Sequence, residues 1–231
     1  MKKKRFGERA VNKVIEVILS RLVDTDRLQV QIKTTLNRLA QGEVDAIAIH
    51  MYGYLMRPNL RVESFLFDIG AAAVNVKSAM RRKIELLHPS TGSLHLTLTE
   101  TQFTNLLTAE LDQMTALVPT QILQQVGCVF AAEGTVVLDW QWLDTGESYS
   151  GRWVGLPNVH PEDCSVEFTS TVHGEPVPDY WLTLAIANLR RTLNLLDLAN
   201  QGTTFQVKTV AIDAGKAIVK ANAYIDYVPS N

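Results

Sequence analysis

The sequence predicts an α+β fold with a mainly antiparallel β-sheet. Strand-like segments come in runs of four, three and two, and a helix precedes each run. A doubly wound fold would alternate strand with helix, whereas runs of strands are typical of α+β proteins. Most of these segments alternate apolar with polar residues, which is typical of a sheet with one solvated face.

The chain begins with a basic segment, residues 1–9, which contains Lys2, Lys3, Lys4, Arg5 and then Phe6. These cations would attract an anionic membrane surface, with Phe6 inserted, and a solvated tail is the alternative. Apolar residues in 11–22 recur at helical spacing but are interrupted by charged ones, so we expect neither a signal peptide nor a membrane span there. A cytoplasmic, peripherally membrane-associated protein is expected.

The first run of strands is predicted at 28–32, 43–55, 60–69 and 94–98. The second and third form a hairpin, because Pro58 and Asn59 between them are typical of a tight turn. After Gly70, residues 71–82 are expected to form a short helix or an irregular crossing.

A helix is predicted from Thr99, because Thr99 and Gln102 have the spacing of a capping box. Strands follow at 121–131, 134–143 and 164–173. The glycines and prolines of 145–163 predict a long irregular loop.

The next helix is predicted over 179–199, with Asp179 as its N-cap. Trp181 and Leu184 widen its apolar face, so it is expected to be covered nearly all round. Two final strands, at 204–212 and 216–227, are joined by a turn at 213–215.

Composition limits the classes of function. The chain has 231 residues, of which 46% are hydrophobic, and a net charge of -2. That length suits one large or two small domains, and we interpret residues 1–231 as a single one. The charge argues against a nucleic-acid partner, because such proteins normally have a strongly basic face.

The sequence offers little for catalysis. It contains no P-loop, Rossmann or zinc-protease motif, and its five histidines have no metal-ligand spacing. Cys128 and Cys164 are expected to be reduced thiols. Cys164 with His160 would form a nucleophilic pair only if the fold united them, so we expect a protein that is not an enzyme and that uses no metal or cofactor.

Apolar residues on both sides of the first hairpin are the most informative feature. Phe65 and Phe67 alternate with Leu66, and Ala46 and Ala48 extend apolar character in the partner strand. Both faces of this hairpin are therefore expected to be dry. The second face would be covered by a closely packed helix, by the acyl chains of a lipid, or by a protein partner such as a second copy in a homodimer.

Several stretches resemble one family, the LmeA-like phospholipid-binding proteins: RAVNKVIEVILS, LNRLAQGEVDAIAI, LRVESFLFDIGAAAVNVKSAM, LTLTETQF and IDAGKAIVKANAYI. The resemblance implies a strongly curved antiparallel sheet wrapped around long amphipathic helices, as in tubular lipid-binding domains. It also implies phospholipid binding without turnover, and it supplies no individual site residues.

The candidate site residues therefore come from the apolar strands, the long helix and the basic clusters. For acyl chains they are Ala46, Ala48, Phe65, Leu66, Phe67, Trp181, Leu184, Ala221 and Ala223. Lys2, Lys3, Lys4, Arg5 and Phe6 are candidates for membrane contact. Arg81 and Arg82 are candidates for a lipid head group, although a solvated helix end would explain them equally.

Overall fold

The structure, a computed structural model, describes residues 23–73, 86–115, 121–174, 177–199 and 202–226. The predicted first helix, the basic residues Lys2 to Phe6, and Arg81 and Arg82 lie outside these ranges. No helix within the ranges is long and apolar enough to cross a membrane.

The described residues form mostly antiparallel strands and a few helices, which confirms the predicted α+β class. The strands are β1 (Arg27–Lys33), β2 (Glu43–Val44), β3 (Ala46–Arg57), β4 (Leu60–Ile69), β5 (Ala72–Ala73), β6 (Ser90–Thr99), β7 (Gln121–Phe130), β8 (Val136–Asp144), β9 (Glu147–Val159), β10 (Val166–Gly174), β11 (Thr203–Asp213) and β12 (Lys216–Ile225). The helices are α1 (Leu36–Ala40), α2 (Glu100–Thr115) and α3 (Asp179–Leu193).

Two antiparallel sheets contain nearly all the strands. A six-stranded sheet has the order β1-β3-β4-β6-β12-β11, and a four-stranded sheet has the order β10-β9-β8-β7. The short strands β2 and β5 pair separately. Because β6 pairs with β12, residues early in the chain lie beside its last described strand.

Helix α2 joins the two sheets. It continues directly from β6, and its N-terminus has the predicted capping box: Gln102 N–H donates to Thr99 Oγ1 (3.3 Å), and Thr99 N–H donates to Gln102 Oε1 (3.0 Å). Two residues of α2 also bond to strand β7. Glu100 accepts from Phe130 N–H, and Thr104 accepts from the N–H of Cys128. One side of the helix thus fixes the position of the four-stranded sheet.

The predicted irregular loop at 145–163 is wrong, because most of it is strand β9. Gly155 makes room for an aromatic ring, because the Trp153 indole lies over it, and Gly151 is the cross-strand partner of Trp140. Pro157 is tolerated because the pairing of β9 with β8 ends at Gly155. No strand therefore lies on that side to accept a hydrogen bond, which a proline nitrogen could not donate.

Helix α3 differs from its prediction in three respects. Its N-cap is Pro178, with no side-chain cap, and Asp179 is the first helical residue, where the helix dipole favours a carboxylate. One side of the helix is exposed to solvent, at Thr183, Ala187 and Arg190, so the helix is not covered all round. It also ends at Leu193, before the predicted end at 199.

The β3–β4 hairpin changes its buried side along its length. Leu60 and Val62 are buried near the turn, whereas Phe65 is the next buried residue of β4, three positions later. The change occurs where Gly53 of β3, with a φ of 61°, interrupts the pairing. Any side chain at Gly53 would also overlap the carboxylate of Asp26.

Candidate functional site

A row of apolar residues crosses five strands of the six-stranded sheet. Successive cross-strand partners are Ile47, Ile69, Gly92, Ala223 and Phe205. Direct partners in antiparallel strands point to the same face, so these residues form one line perpendicular to the strands. All but Ala223 are only half-buried. We call this line the open row.

The neighbouring rows on the same face are more completely covered. The next row contains Val30, Ile49, Phe67, Leu94, Ala221 and Val207, and the one beyond contains Met51, Phe65, Leu96 and Val219. Leu94, Leu96 and Val219 are fully buried in the main hydrophobic core. The face is therefore closed at its α2 end and is more accessible at the open row, and it is covered again on the other side of that row, at Ser90 and Ile225.

The open row has its smallest residues at its centre. Gly92 and Ala223 lie between the bulky Ile69 and Phe205. Above them the rings of Phe67 and Phe205 meet, with centroids 6.0 Å apart. Their strands are three strand spacings apart, about 14 Å in a flat sheet, so the rings lean towards each other over the two small residues.

A polar cluster lies at the other end of the β3–β4 hairpin. The guanidinium of Arg57, whose side chain is 8% exposed, lies 3.3 Å from Asp197 and 3.5 Å from Glu110. It also donates to Asn188 Oδ1 (2.7 Å) and to Thr192. Burial lowers the pKa of Arg57, and the two carboxylates oppose that effect.

The internal partners of Arg57 define what this cluster does. Arg57 belongs to β3, Glu110 to α2, Asn188 to α3, and Asp197 to the turn after α3. Asn188 also donates to Glu110. Since each guanidinium nitrogen faces a group of the protein itself, the cluster fastens the hairpin to both helices and is not arranged to receive a ligand.

Comparison with protein families matches the chain to the family described as LmeA-like phospholipid-binding, over residues 3–222. The match extends over nearly the whole chain. The chain belongs to the LmeA-like phospholipid-binding family. Comparisons with curated proteins and with solved structures give no significant match. The family is one of lipid-binding domains and not of enzymes.

The structure brings four predicted acyl-chain residues of this LmeA-like protein onto the face of the open row. Phe65, Phe67, Ala221 and Ala223 all point to it, with Ala223 in the row itself. Phe65 is only 6% exposed and contacts Tyr54 and Phe67 through its ring. It is consequently part of the core and not available to a protein partner.

The other predicted residues of the hairpin lie on the opposite face. Leu66 is paired with His50 and His95, and Ala48 is paired with Asp68. Ala46 shares that face by alternation. These side chains are half-buried, but their neighbours are polar or charged, so the expected second dry face is not a continuous apolar surface.

Trp181 and Leu184 of the LmeA-like chain lie on α3. The Trp181 ring is fully buried and meets Trp142 of β8 edge-on, with centroids 6.1 Å apart. Leu184 is half-buried and its carbonyl accepts a bond from Asn188. Trp181 therefore belongs to the packing of α3 on the four-stranded sheet.

Sequence reasoning missed Ile69, Gly92 and Phe205 as site residues. Each belongs to a predicted strand, or lies just before one, and none forms a local motif. They become one line only through the pairing of β4, β6, β12 and β11. The available signal was the alternation of the strands, which fixes the face of each residue but not its cross-strand partner.

The residues considered for nucleophilic catalysis have other partners. His160 lies 3.3 Å from Glu167, and the Cys164 sulfur lies 3.9 Å from the Lys208 ammonium. Cys128 is buried, which raises the pKa of its thiol and leaves it unreactive. Among the described residues, no three of His, Cys, Asp and Glu are grouped as metal ligands would be.

Proposed function

We propose that this protein binds a phospholipid without changing it chemically, and that one acyl chain lies along the open row. The observation that carries the proposal is an apolar line, half-buried except at Ala223, on a sheet of a phospholipid-binding family member. From Ile47 to Phe205 the line crosses four strand spacings, about 19 Å. One leaflet of a bilayer core is about 15 Å thick, so an acyl chain is of comparable length.

The free energy of contact along the row suits a ligand that binds reversibly. Each methylene that leaves water for an apolar surface contributes about 0.8 kcal/mol. Ile47, Ile69 and Phe205 offer such a surface, while the fully buried residues beside them, such as Leu94 and Leu96, stay out of contact with the ligand. The head group would remain in water, as in other sites that are apolar with polar groups only at the mouth.

The whole chain would act as one lipid-binding unit, at the cytoplasmic surface of a membrane, and would carry lipid between membranes. Curvature of the six-stranded sheet around its helices is supported by the contact of Phe67 with Phe205 across two intervening strands. The alternative is a scaffold that uses the same apolar face to bind a protein.

The open row is tested with two asparagine substitutions on strand β4. Ile69→Asn is expected to reduce the phospholipid bound by about tenfold or more, because an amide on the row must lose its water to contact an acyl chain. Leu66→Asn is the matched control, since Leu66 is a half-buried apolar residue of the same strand on the opposite face. Bound lipid is measured by native mass spectrometry after incubation with phosphatidylglycerol vesicles.

Two results would contradict the proposal. The first is a wild-type protein that takes up no lipid from the vesicles. The second is equal loss in the two variants, which would place the lipid elsewhere. A wild-type protein that is lipid-free and dimeric by light scattering would favour the scaffold.

Membrane contact through the basic start is a separate prediction. Deleting Lys2 to Arg5 is expected to reduce the fraction of the protein that sediments with anionic vesicles, because each cation near such a surface contributes about 1 kcal/mol to binding. Salt screens these interactions, so the loss should be larger at low salt than at high salt. Zwitterionic vesicles are the control, and equal sedimentation of the full-length and shortened chains with anionic vesicles would refute the assignment.

A further inference from the structure

The rings of Phe67 and Phe205 cover the smallest part of the open row. Ala223 is fully buried although its neighbours in the row, Gly92 and Phe205, are only half-buried. A side chain at Gly92 would come within 3.3 Å of the Phe67 ring, so that ring lies directly above Gly92. The two rings therefore form a roof, and the small residues form the floor beneath it.

The roof is made of parts that can separate. Both rings are only half-buried, whereas Phe65, two residues before Phe67, is held within the core. Aromatic contacts of this kind are weak, and losing one reduces an equilibrium constant by about two- to tenfold. Each methylene that took the place of the ring contact would raise affinity by about fourfold. Two or three methylenes are therefore enough to offset the separation of the rings.

The floor also limits what can enter. Gly92 cannot be enlarged without strain, because an added Cβ would lie 2.6 Å from the carbonyl oxygen of Asp68. Ala223 is paired with Gly92 on one side and with Phe205 on the other. The depth available under the rings is thus set by one hydrogen atom at Gly92 and one methyl group at Ala223.

We propose that Phe67 and Phe205 form a gate in the acyl-chain site, which closes over Ala223 when lipid is absent and parts around the chain when lipid binds. Gly92 and Ala223 then limit the depth of the space beneath the rings. This space admits an unbranched acyl chain in contact with the floor. This inference rests on the proposed function and assigns it a specificity-determining residue, Ala223.

The test enlarges the floor by two methyl groups. Ala223→Val is expected to lower the affinity for dipalmitoyl-phosphatidylglycerol by at least about tenfold, since contact with two or three methylenes is lost. Ala217→Val is the control: Ala217 lies on the same face of the same strand and is equally buried, but it is paired with Leu98 in the closed part of the core. It should bind lipid within about twofold of wild type.

The outcomes separate this inference from the proposed function. If wild type and Ala217→Val bind lipid and Ala223→Val binds it equally well, the chain does not reach the floor and the gate is refuted. If wild type binds none, the proposed function itself fails. Should Ala223→Val not fold, wild-type protein labelled with 4-fluorophenylalanine decides the question: lipid should shift the ¹⁹F resonances of Phe67 and Phe205 but not that of buried Phe103. Unchanged resonances would refute the gate.

Discussion

Replacing Arg57 with alanine is expected to lower the free energy of unfolding by about 3–5 kcal/mol, because it leaves a buried carboxylate without its buried partner. The Asp197 side chain is only 4% exposed, and without Arg57 it keeps Arg191 as its remaining cation. The side-chain amide oxygen of Asn188 and the Thr192 hydroxyl would each lose the guanidinium N–H that donates to them. Urea unfolding followed by circular dichroism measures the effect.

Two further variants make this prediction specific. Arg152→Ala removes an arginine that donates two hydrogen bonds to Asp139 on an exposed strand face, and it should change stability much less. Arg57→Met combined with Asp197→Asn should recover part of the loss, because neither charge is then buried alone. Equal effects of the alanine changes at Arg57 and Arg152 would show that the cluster is not a fastening point.

Gly155→Ala is expected to cost about 1–3 kcal/mol, although it adds only one methyl group to a strand. A Cβ at this position would overlap the indole ring of Trp153. That ring is 1% exposed and meets Phe168 edge-on at 5.5 Å, so it has little freedom to move aside. Thermal unfolding followed by tryptophan fluorescence would report both the loss of stability and the displacement of the ring.

Gly127→Ala is the matched control in the same sheet. An added Cβ at Gly127 meets no atom within 4 Å, so only the backbone effect of the substitution remains. Removing a glycine from a strand stabilises a protein by about 0.5–1 kcal/mol when the new side chain fits. If both variants lost stability to the same extent, the contact with Trp153 would not be the cause at Gly155.

Local patterns in the sequence were sufficient for the class of fold and for most elements. The capping box at Thr99 depends on residues three positions apart, and the alternation of β12 depends on its own residues, so both were predicted correctly. The loop at 145–163 was wrong because glycine was interpreted as a turn signal. In strand β9, Gly155 instead provides space for the indole ring of Trp153.

The candidate site was predictable only in part, for a physical reason. Alternation placed Phe65 and Phe67 on one face and Leu66 on the other, and the structure has them so. It could not show which face meets the core, because consecutive apolar residues satisfy either choice. The partners of Ile69 depend on which strands pair, and pairing between distant segments leaves no mark within either segment.

The pairing of β6 with β12 has a consequence for the order of assembly. These strands are more than one hundred residues apart in the chain, and Ala223 and Phe205 both come from the last described hairpin. Contacts between such distant segments form slowly, because a long loop must close before they gain stability. During synthesis, Ile47, Ile69 and Gly92 leave the ribosome well before Ala223 and Phe205 exist. The open row is thus completed only after β11 and β12 have been synthesised.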